Sequence, residues 1–254
     1  DNMKILFFGD IYGTAGIEMF EEHLKNLKDI YRPNLIIING ENIANGRGIN
    51  KEIYTKMMMH GVNAITMGNW TWANRDLLNF IDESNVIRPA NFKEAPGSGY
   101  KIININDKKI LIISVLGRIF MNANLANPFE VIDEIITNNK ADYILIDVHA
   151  EATSEKVAIG HHFDGRVDAV VGTHTHVQTN DERRLPKGTL YISDIGMTGP
   201  LDGVIGVEKD IVISRFLTGY SRPNEVAKGP RQLNAVFMNL DKKIIEKIRI
   251  KDGD

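Results

Sequence analysis

The chain has 254 residues, 43% apolar and 25% charged, a mix that excludes a disordered chain and suits one large domain, or two small ones, with a sizeable core. A net charge of -3 offers no basic footprint for long nucleic acid. The absence of cysteine excludes disulfide frameworks and thiolate metal sites, and it fits a reducing cytoplasm.

In chain order, "KILFFGD" (4–10) reads as a buried strand, preceded by Met3, which reads as the natural start. No basic region followed by a long apolar run marks a signal peptide, and no apolar run could span a bilayer. Residues 16–31 have helical spacing, with Ile17, Phe20, Leu24 and Leu27 on one face, and Pro33 stops that helix. "LIIING" (35–40) is a second strand, 50–60 a second helix, "NAITMGN" (63–69) a third strand and 75–83 a third helix. Such β-α alternation predicts an α/β layered fold with largely parallel pairing. Two strands at 100–106 and 110–117 follow, then a helix at 129–137, a strand at 143–150, a helix at 153–162 and the strand "DAVVGTHTH" (168–176). A strand at 188–196, a helix at 207–217 and a hairpin over 233–250 complete the pass. Two β-rich halves with helices outside suit two sheets between helical layers.

Chemistry-bearing residues collect at or just past strand ends: Asp10, Glu41 with Asn42, Asn69, His149, and His174 with His176. In α/β sheets such ends converge on one edge, where sites form. Oxygen and nitrogen donors without sulfur suit manganese, iron or zinc. Seven such side chains exceed the needs of one tetrahedral ion, so two ions sharing a bridging carboxylate is the economical arrangement, and two-metal sites serve in-line phosphoryl displacement. Taken singly, each residue has an ordinary reading. Asp10 could cap a helix, Glu41-Asn42 could be turn chemistry, and His149 could be a satisfied core histidine. His174 and His176, two apart on an extended segment, would point the same way. His23, His60, His161 and His162 fall in or near helices and receive no role, and Trp72 reads as packing.

The series "ILFFGDIYG", "IINGENIANGRG", "AITMGN", "RPANF", "HAEATSEK", "VVGTHTHVQT" and "LPKGTLYISDIGMTGP" resembles the calcineurin-like metallophosphoesterases, in wording the bacterial YmdB-like branch that hydrolyses 2′,3′-cyclic nucleotides. The resemblance implies a four-layer α/β/β/α sandwich of two mixed β-sheets in a single domain over residues 3–252. It implies two metal ions, iron or manganese or else zinc. Asp10, Glu41, Asn42 and His176 would surround one ion. Glu41, Asn69, His149 and His174 would surround the other, with Glu41 bridging. An oxygen bridging the ions would attack the phosphorus of a small phosphodiester. No membrane and no long nucleic acid is expected as a partner, and a homo-oligomer is compatible.

Two positions depart from the family text. Where it reads Gly-Asn-His-Thr-Trp-Asp, this chain reads Gly68-Asn69-Trp70-Thr71-Trp72-Ala73. The family's histidine is taken as the general acid, and an indole N–H is a donor without usable acidity. General acid catalysis is worth roughly 10²–10⁴-fold, felt most with poor alkoxide leaving groups. The expectation is an intact bimetal centre with an altered acid, in which Trp70 either offers a face for a base or fills the cleft. The alternatives are a metal-binding nucleotide sensor that no longer turns over, and a monoester phosphatase or nuclease. The scattered arginines (Arg47, Arg75, Arg88, Arg118, Arg183, Arg184) mark no nuclease groove. The glycine-rich loops at 44–48 and 194–200 read equally well as turns.

Overall fold

The computed structural model describes residues 2–121 and 124–254. In chain order the elements are β1 (Lys4–Phe8), β2 (Asp10–Ile11), α1 (Gly13–Tyr31), β3 (Leu35–Asn39), α2 (Lys51–Met59), β4 (Ala64–Thr66), β5 (Val86–Ile87), β6 (Tyr100–Ile105), β7 (Lys108–Leu116), α3 (Pro128–Asn138), β8 (Tyr143–His149), α4 (Thr153–Phe163), β9 (Ala169–Thr173), β10 (Arg183–Arg184), β11 (Leu190–Ile192), β12 (Met197–Pro200), α5 (Lys209–Thr218), β13 (Arg231–Asn239) and β14 (Ile244–Lys251). One sheet runs β2-β12-β13-β1-β3-β4-β5, with β14 paired to β13; the other runs β10-β11-β9-β8-β7-β6. Both are mixed: β1, β3 and β4 pair in parallel while β13 is antiparallel to β1, and β7, β8 and β9 are parallel while β6 is antiparallel to β7.

The period of two along each strand sorts the core into layers. From β1, Ile5 and Phe7 join Ile110, Ile112, Leu145, Leu190 and Ile192 between the two sheets. Leu6 and Phe8 point the other way, onto Phe20, Leu24 and Leu27 of α1. From β7, Leu111, Ile113 and Val115 pack outward against Ile132 of α3 and Ile159 and Phe163 of α4. Helices, sheet, sheet, helices: the arrangement is the α/β/β/α sandwich. Among the described residues no helix is long and apolar enough to cross a membrane.

Three expectations are corrected. Residues 75–83 form no α-helix but two 3₁₀ turns, Arg75–Asn79 and Ile81–Glu83. Asn74 caps the first turn through Asp76 N–H, and Phe80, at φ −139°, breaks the run before an i→i+4 ladder can form. The strand expected over 168–176 ends at Thr173: His174 (φ 111°) and His176 (φ 69°) lie in the left-handed region, so the two histidines sit on a bent loop and not on an extended segment. The strand expected over 188–196 stops at Ile192, and the chain re-enters the first sheet as β12, which the sequence reading missed.

Candidate metal centre

Parallel strands deliver their carboxyl ends to one edge of each sheet, and the two edges face each other. Asp10 follows β1, Glu41 and Asn42 follow β3, and Asn69 follows β4; His149 ends β8, and His174 and His176 follow β9. Gly68, just before Asn69, is required: a Cβ there would lie 2.3 Å from His149 Cδ2. Asp10, Glu41, Asn42 and His149 are each no more than 2% exposed.

All seven residues meet as two abutting groups. In the first, Asn42 Nδ2 donates to Asp10 Oδ1 (3.0 Å), and His176 Nε2 stands 3.3 Å from Asp10 Oδ2. That second oxygen is buried without an aligned hydrogen-bond donor among the described residues. In the second group, Glu41, His149 and His174 each offer one ligand atom within 4.8 Å of the others. His149 Nε2 contacts Glu41 Oε1 closely, and it lies 3.0 Å from Asn69 Oδ1 and 3.1 Å from His174 Nδ1.

The hydrogen-bond partners fix where each imidazole carries its proton. The Thr173 hydroxyl donates to Asp147 Oδ1 (2.7 Å), so in its 2.7 Å contact with His149 the ring Nδ1–H donates. His176 Nδ1 donates to the Ile205 carbonyl (2.8 Å), and His174 Nε2 donates to Glu151 Oε2 (2.8 Å). With its outward nitrogen anchored, each ring, once neutral, has a lone pair to turn inward, the arrangement that outer-shell partners impose on metal-bound histidines. His149 Nε2 and His174 Nδ1 stand 3.1 Å apart, so a proton or a cation has to lie between them. The Asn69 carboxamide fits the same demand. With Oδ1 inward it opposes the Glu41 carboxylate at 3.1 and 3.2 Å, acceptor against acceptor; turned over, its Nδ2 donates to both oxygens. The first orientation suits a cation between them, the second satisfies the protein groups alone. Asn42 presents Nδ2 to Asp10, so ligation through its oxygen takes a half-turn of the amide.

Electrostatics point the same way. Burial opposes charge on His149, yet Glu41 outweighs it and holds the ring above its ordinary value. Burial also opposes charge on His176, but Asp10 and the Ile205 carbonyl raise it to about 9. His174 is pushed down to about 3, by burial first and then by His149. Burial pushes Asp10 up, but His176, helped by His149 and His174, holds it below the carboxylate range. The pocket attracts positive charge and cannot spread protons evenly over its three rings, which is the donor chemistry of a cation site.

Several supporting residues escaped the sequence reading. Asp147, fully buried and pushed up by that burial, accepts from Thr173, from Thr66 (2.6 Å) and from Asn39 (3.3 Å). Its signal was its place two residues before His149 on the same strand face. Asp194 pins the histidine loop: Oδ2 accepts from Thr175 N–H and hydroxyl (both 2.8 Å) and from Lys156 Nζ (3.0 Å), and Oδ1 accepts from Gly196 N–H (2.8 Å). Lys156 is 1% exposed. Trp70 reaches the cluster through its backbone, whose N–H donates to Glu41 Oε2 (2.7 Å), while its indole is 41% exposed with the Arg47 guanidinium 5.0 Å above the ring. Trp72 packs edge-on against Phe92. Arg47 belongs to a loop closed on itself, Gly46 N–H donating to Asn42 O (3.1 Å) and Ala44 N–H to Gly48 O (2.9 Å).

Known proteins resemble this chain over nearly its whole length. A model of the family described as YmdB-like protein matches residues 6–252. A Bacillus subtilis (strain 168) protein named 2′,3′-cyclic-nucleotide 2′-phosphodiesterase is 46% identical over 253 residues, covering 98% of this chain and 96% of that protein. A crystal structure of a phosphatase from Mycoplasma pneumoniae matches with a TM-score of 0.92 at 39% identity, over 99% of this chain and 94% of that one. A hypothetical protein from Thermus thermophilus matches with a TM-score of 0.94 at 39% identity, over 98% and 99%. With its whole fold and nearly its whole length matched, the chain belongs to the YmdB-like family.

Proposed function

We propose that the protein is a two-metal phosphodiesterase acting on small cyclic nucleotides of the 2′,3′-cyclic type. Asp10, Asn42 and His176 would hold one ion and Asn69, His149 and His174 the other, with Glu41 between them. The oxygen and nitrogen donors suit iron, manganese or zinc. Such ions, when bound, supply Lewis acidity toward the phosphate oxygens and make water a stronger acid. The chain's own residues do the positioning. Thr173 and Asp147 fix His149, Glu151 fixes His174, the Ile205 carbonyl fixes His176, and the Trp70 backbone N–H holds Glu41. The observation that carries the reading is the three imidazoles whose outer nitrogens are anchored and whose inner nitrogens gather around buried Asp10 and Glu41. The name of the Bacillus subtilis relative supports the substrate class.

Trp70 stands where the family places its acid and cannot protonate a departing ribose oxygen. Expected, therefore, is turnover of bis(p-nitrophenyl) phosphate, whose aryl leaving group needs little protonation, together with slow cleavage of 2′,3′-cyclic AMP. Trp70→His should raise the cyclic-nucleotide rate, within a ceiling of roughly 10²–10⁴-fold. The assay compares both substrates on wild type and variant with manganese or iron loaded. Fast wild-type cleavage of the cyclic nucleotide would refute the importance of position 70. Trp70 itself favours one second reading, a nucleotide sensor that has ceased turnover; bound metal with neither substrate cleaved would establish it over the enzyme.

A further inference from the structure

Helix α5 carries apolar residues on two sides. Ile211 and Val212 are buried against the fold. Ile213, Phe216 and Leu217, spaced i, i+3 and i+4, form a second stripe that points outward, 48%, 84% and 80% exposed. Tyr220, 72% exposed, continues the stripe past the Gly219 cap, and its N–H donates to the Thr218 hydroxyl (3.1 Å). A surface helix ordinarily buries its one apolar stripe and turns polar residues to solvent. Among the described residues five large apolar side chains are at least 72% exposed, and three of them fall within 216–220. The other two, Met59 and Phe120, lie on separate segments, as scattered surface apolar residues do.

The size of the patch suits an interface. An aromatic side chain presents about 150–250 Å², so Phe216 and Tyr220 at these exposures supply roughly 300 Å² between them. With Ile213, Leu217 and the 51% exposed Ile205, which lines a cavity wall together with Phe216, the patch reaches the roughly 300–600 Å² of the largest patches on monomers. That is a sufficient apolar core for the roughly 800 Å² each partner contributes to a stable complex. Charge selects the kind of partner. Residues 202–228 carry four acidic and four basic side chains. A membrane surface or a nucleic acid calls for a basic excess, whereas balanced charge is what a self-complementary face needs.

We propose that α5 is a homodimer interface, its outward stripe covered by the same stripe of a second copy of this chain. Laid antiparallel about a two-fold axis between Phe216 and Leu217, two such helices set Ile213 against the partner's Tyr220 and Phe216 against the partner's Leu217. An aliphatic side chain then meets an aromatic one at every step. Exposed Asp210, on the edge of the stripe, comes to lie beside the partner's Arg222. Because Ile205 and Phe216 also line the cavity that reaches Asn42 and His176, the second copy stands over one wall of that cavity. The interface needs no bound metal and is independent of the phosphodiesterase reading.

The test is sedimentation equilibrium of the full chain. Interfaces of this area reach Kd values of about 1 μM or tighter, so at about 50 μM the wild type should sediment as a dimer or an even multiple of one. The double variant Phe216→Glu, Leu217→Glu should halve that assembly, with unchanged far-ultraviolet circular dichroism as the control for folding. Met59→Glu, at an equally exposed apolar residue on α2, should leave it intact. Asp210→Lys and Arg222→Glu should each weaken association severalfold, and an equimolar mixture of the two should recover it, because both cross-pairs are then opposite in charge. A wild-type monomer, a double variant that associates like wild type, or an equal loss in Met59→Glu would overturn the interface. A mixture no tighter than its components would overturn the antiparallel register. A wild-type monomer that binds phosphatidylglycerol vesicles only while the stripe is intact would assign the face to a lipid surface instead.

Discussion

Replacing Lys156 with Met tests whether the histidine loop is held from beneath by a buried ion pair. Lys156 and Asp194 are each 1% exposed, and Nζ lies 3.0 Å from Oδ2. Removing one partner of such a pair typically costs about 3–5 kcal/mol, because the other charge stays buried. Here the stranded carboxylate would keep three donors, Thr175 N–H, the Thr175 hydroxyl and Gly196 N–H, which places Lys156→Met near the lower end, about 3 kcal/mol. For a domain of this size that lowers Tm by roughly 6–12 °C. Asp194→Asn strands the ammonium and should cost about as much or more. The double variant, with both charges gone, should be more stable than the sum of the single losses allows, by about 2 kcal/mol or more. Urea unfolding of all four proteins in chelator, followed by circular dichroism, gives the cycle. A Lys156→Met deficit below about 1 kcal/mol with no coupling to Asp194 would refute the reasoning.

Other expectations follow from the same geometry. Gly68→Ala pushes a methyl into His149 and should cost about 1–3 kcal/mol while cutting bound metal per chain, measured by thermal melting and elemental analysis. Thr173→Val breaks the link from Asp147 to His149 and should weaken metal binding roughly 10–100-fold by competitive chelation, with little change in fold. Tyr143 donates to Asp241, and burial together with that carboxylate pushes its hydroxyl up to about 12. Because the folded value lies above the unfolded one, the contribution is whole below about pH 10 and vanishes as pH rises through 12. The Tm gap between wild type and Tyr143→Phe should therefore narrow between about pH 10 and pH 12, and a constant gap would refute the assignment.

Much of the site was legible because a buried strand that ends in a polar residue announces itself. Phe8 gives way to Gly9-Asp10, Asn39 to Gly40-Glu41, and Val148 to His149, and each break falls on the edge where the sheets meet. The bend at His174 was not legible. What bends the chain there is Asp194, which lies on another segment, and no local residue between Gly172 and Val177 forecasts left-handed φ values for histidine. Lys156 left a sign that went unread: it shares the buried stripe of α4 with Ile159, Gly160 and Phe163, a core position where a lysine demands a buried partner. The 3₁₀ turns at 75–83 were lost to apolar spacing alone, since Leu77 and Ile81 are buried four apart as a helix would have them.

The strand order also constrains how the centre comes into being. Within its sheet β1 lies between β3, close by in sequence, and β13, with Lys4 opposite Asn239. During synthesis the carboxyl end of β1, and Asp10 with it, must wait for a strand made more than two hundred residues later. Pairings of such long sequence separation fold slowly, since the entropy of closing the loop is spent before the contact forms. The second sheet, with its compact run β6 to β11, has no such debt and can form first. The three histidines would then be presented on an assembled half while the acidic half was still open, so a cation captured early would meet imidazoles before carboxylates.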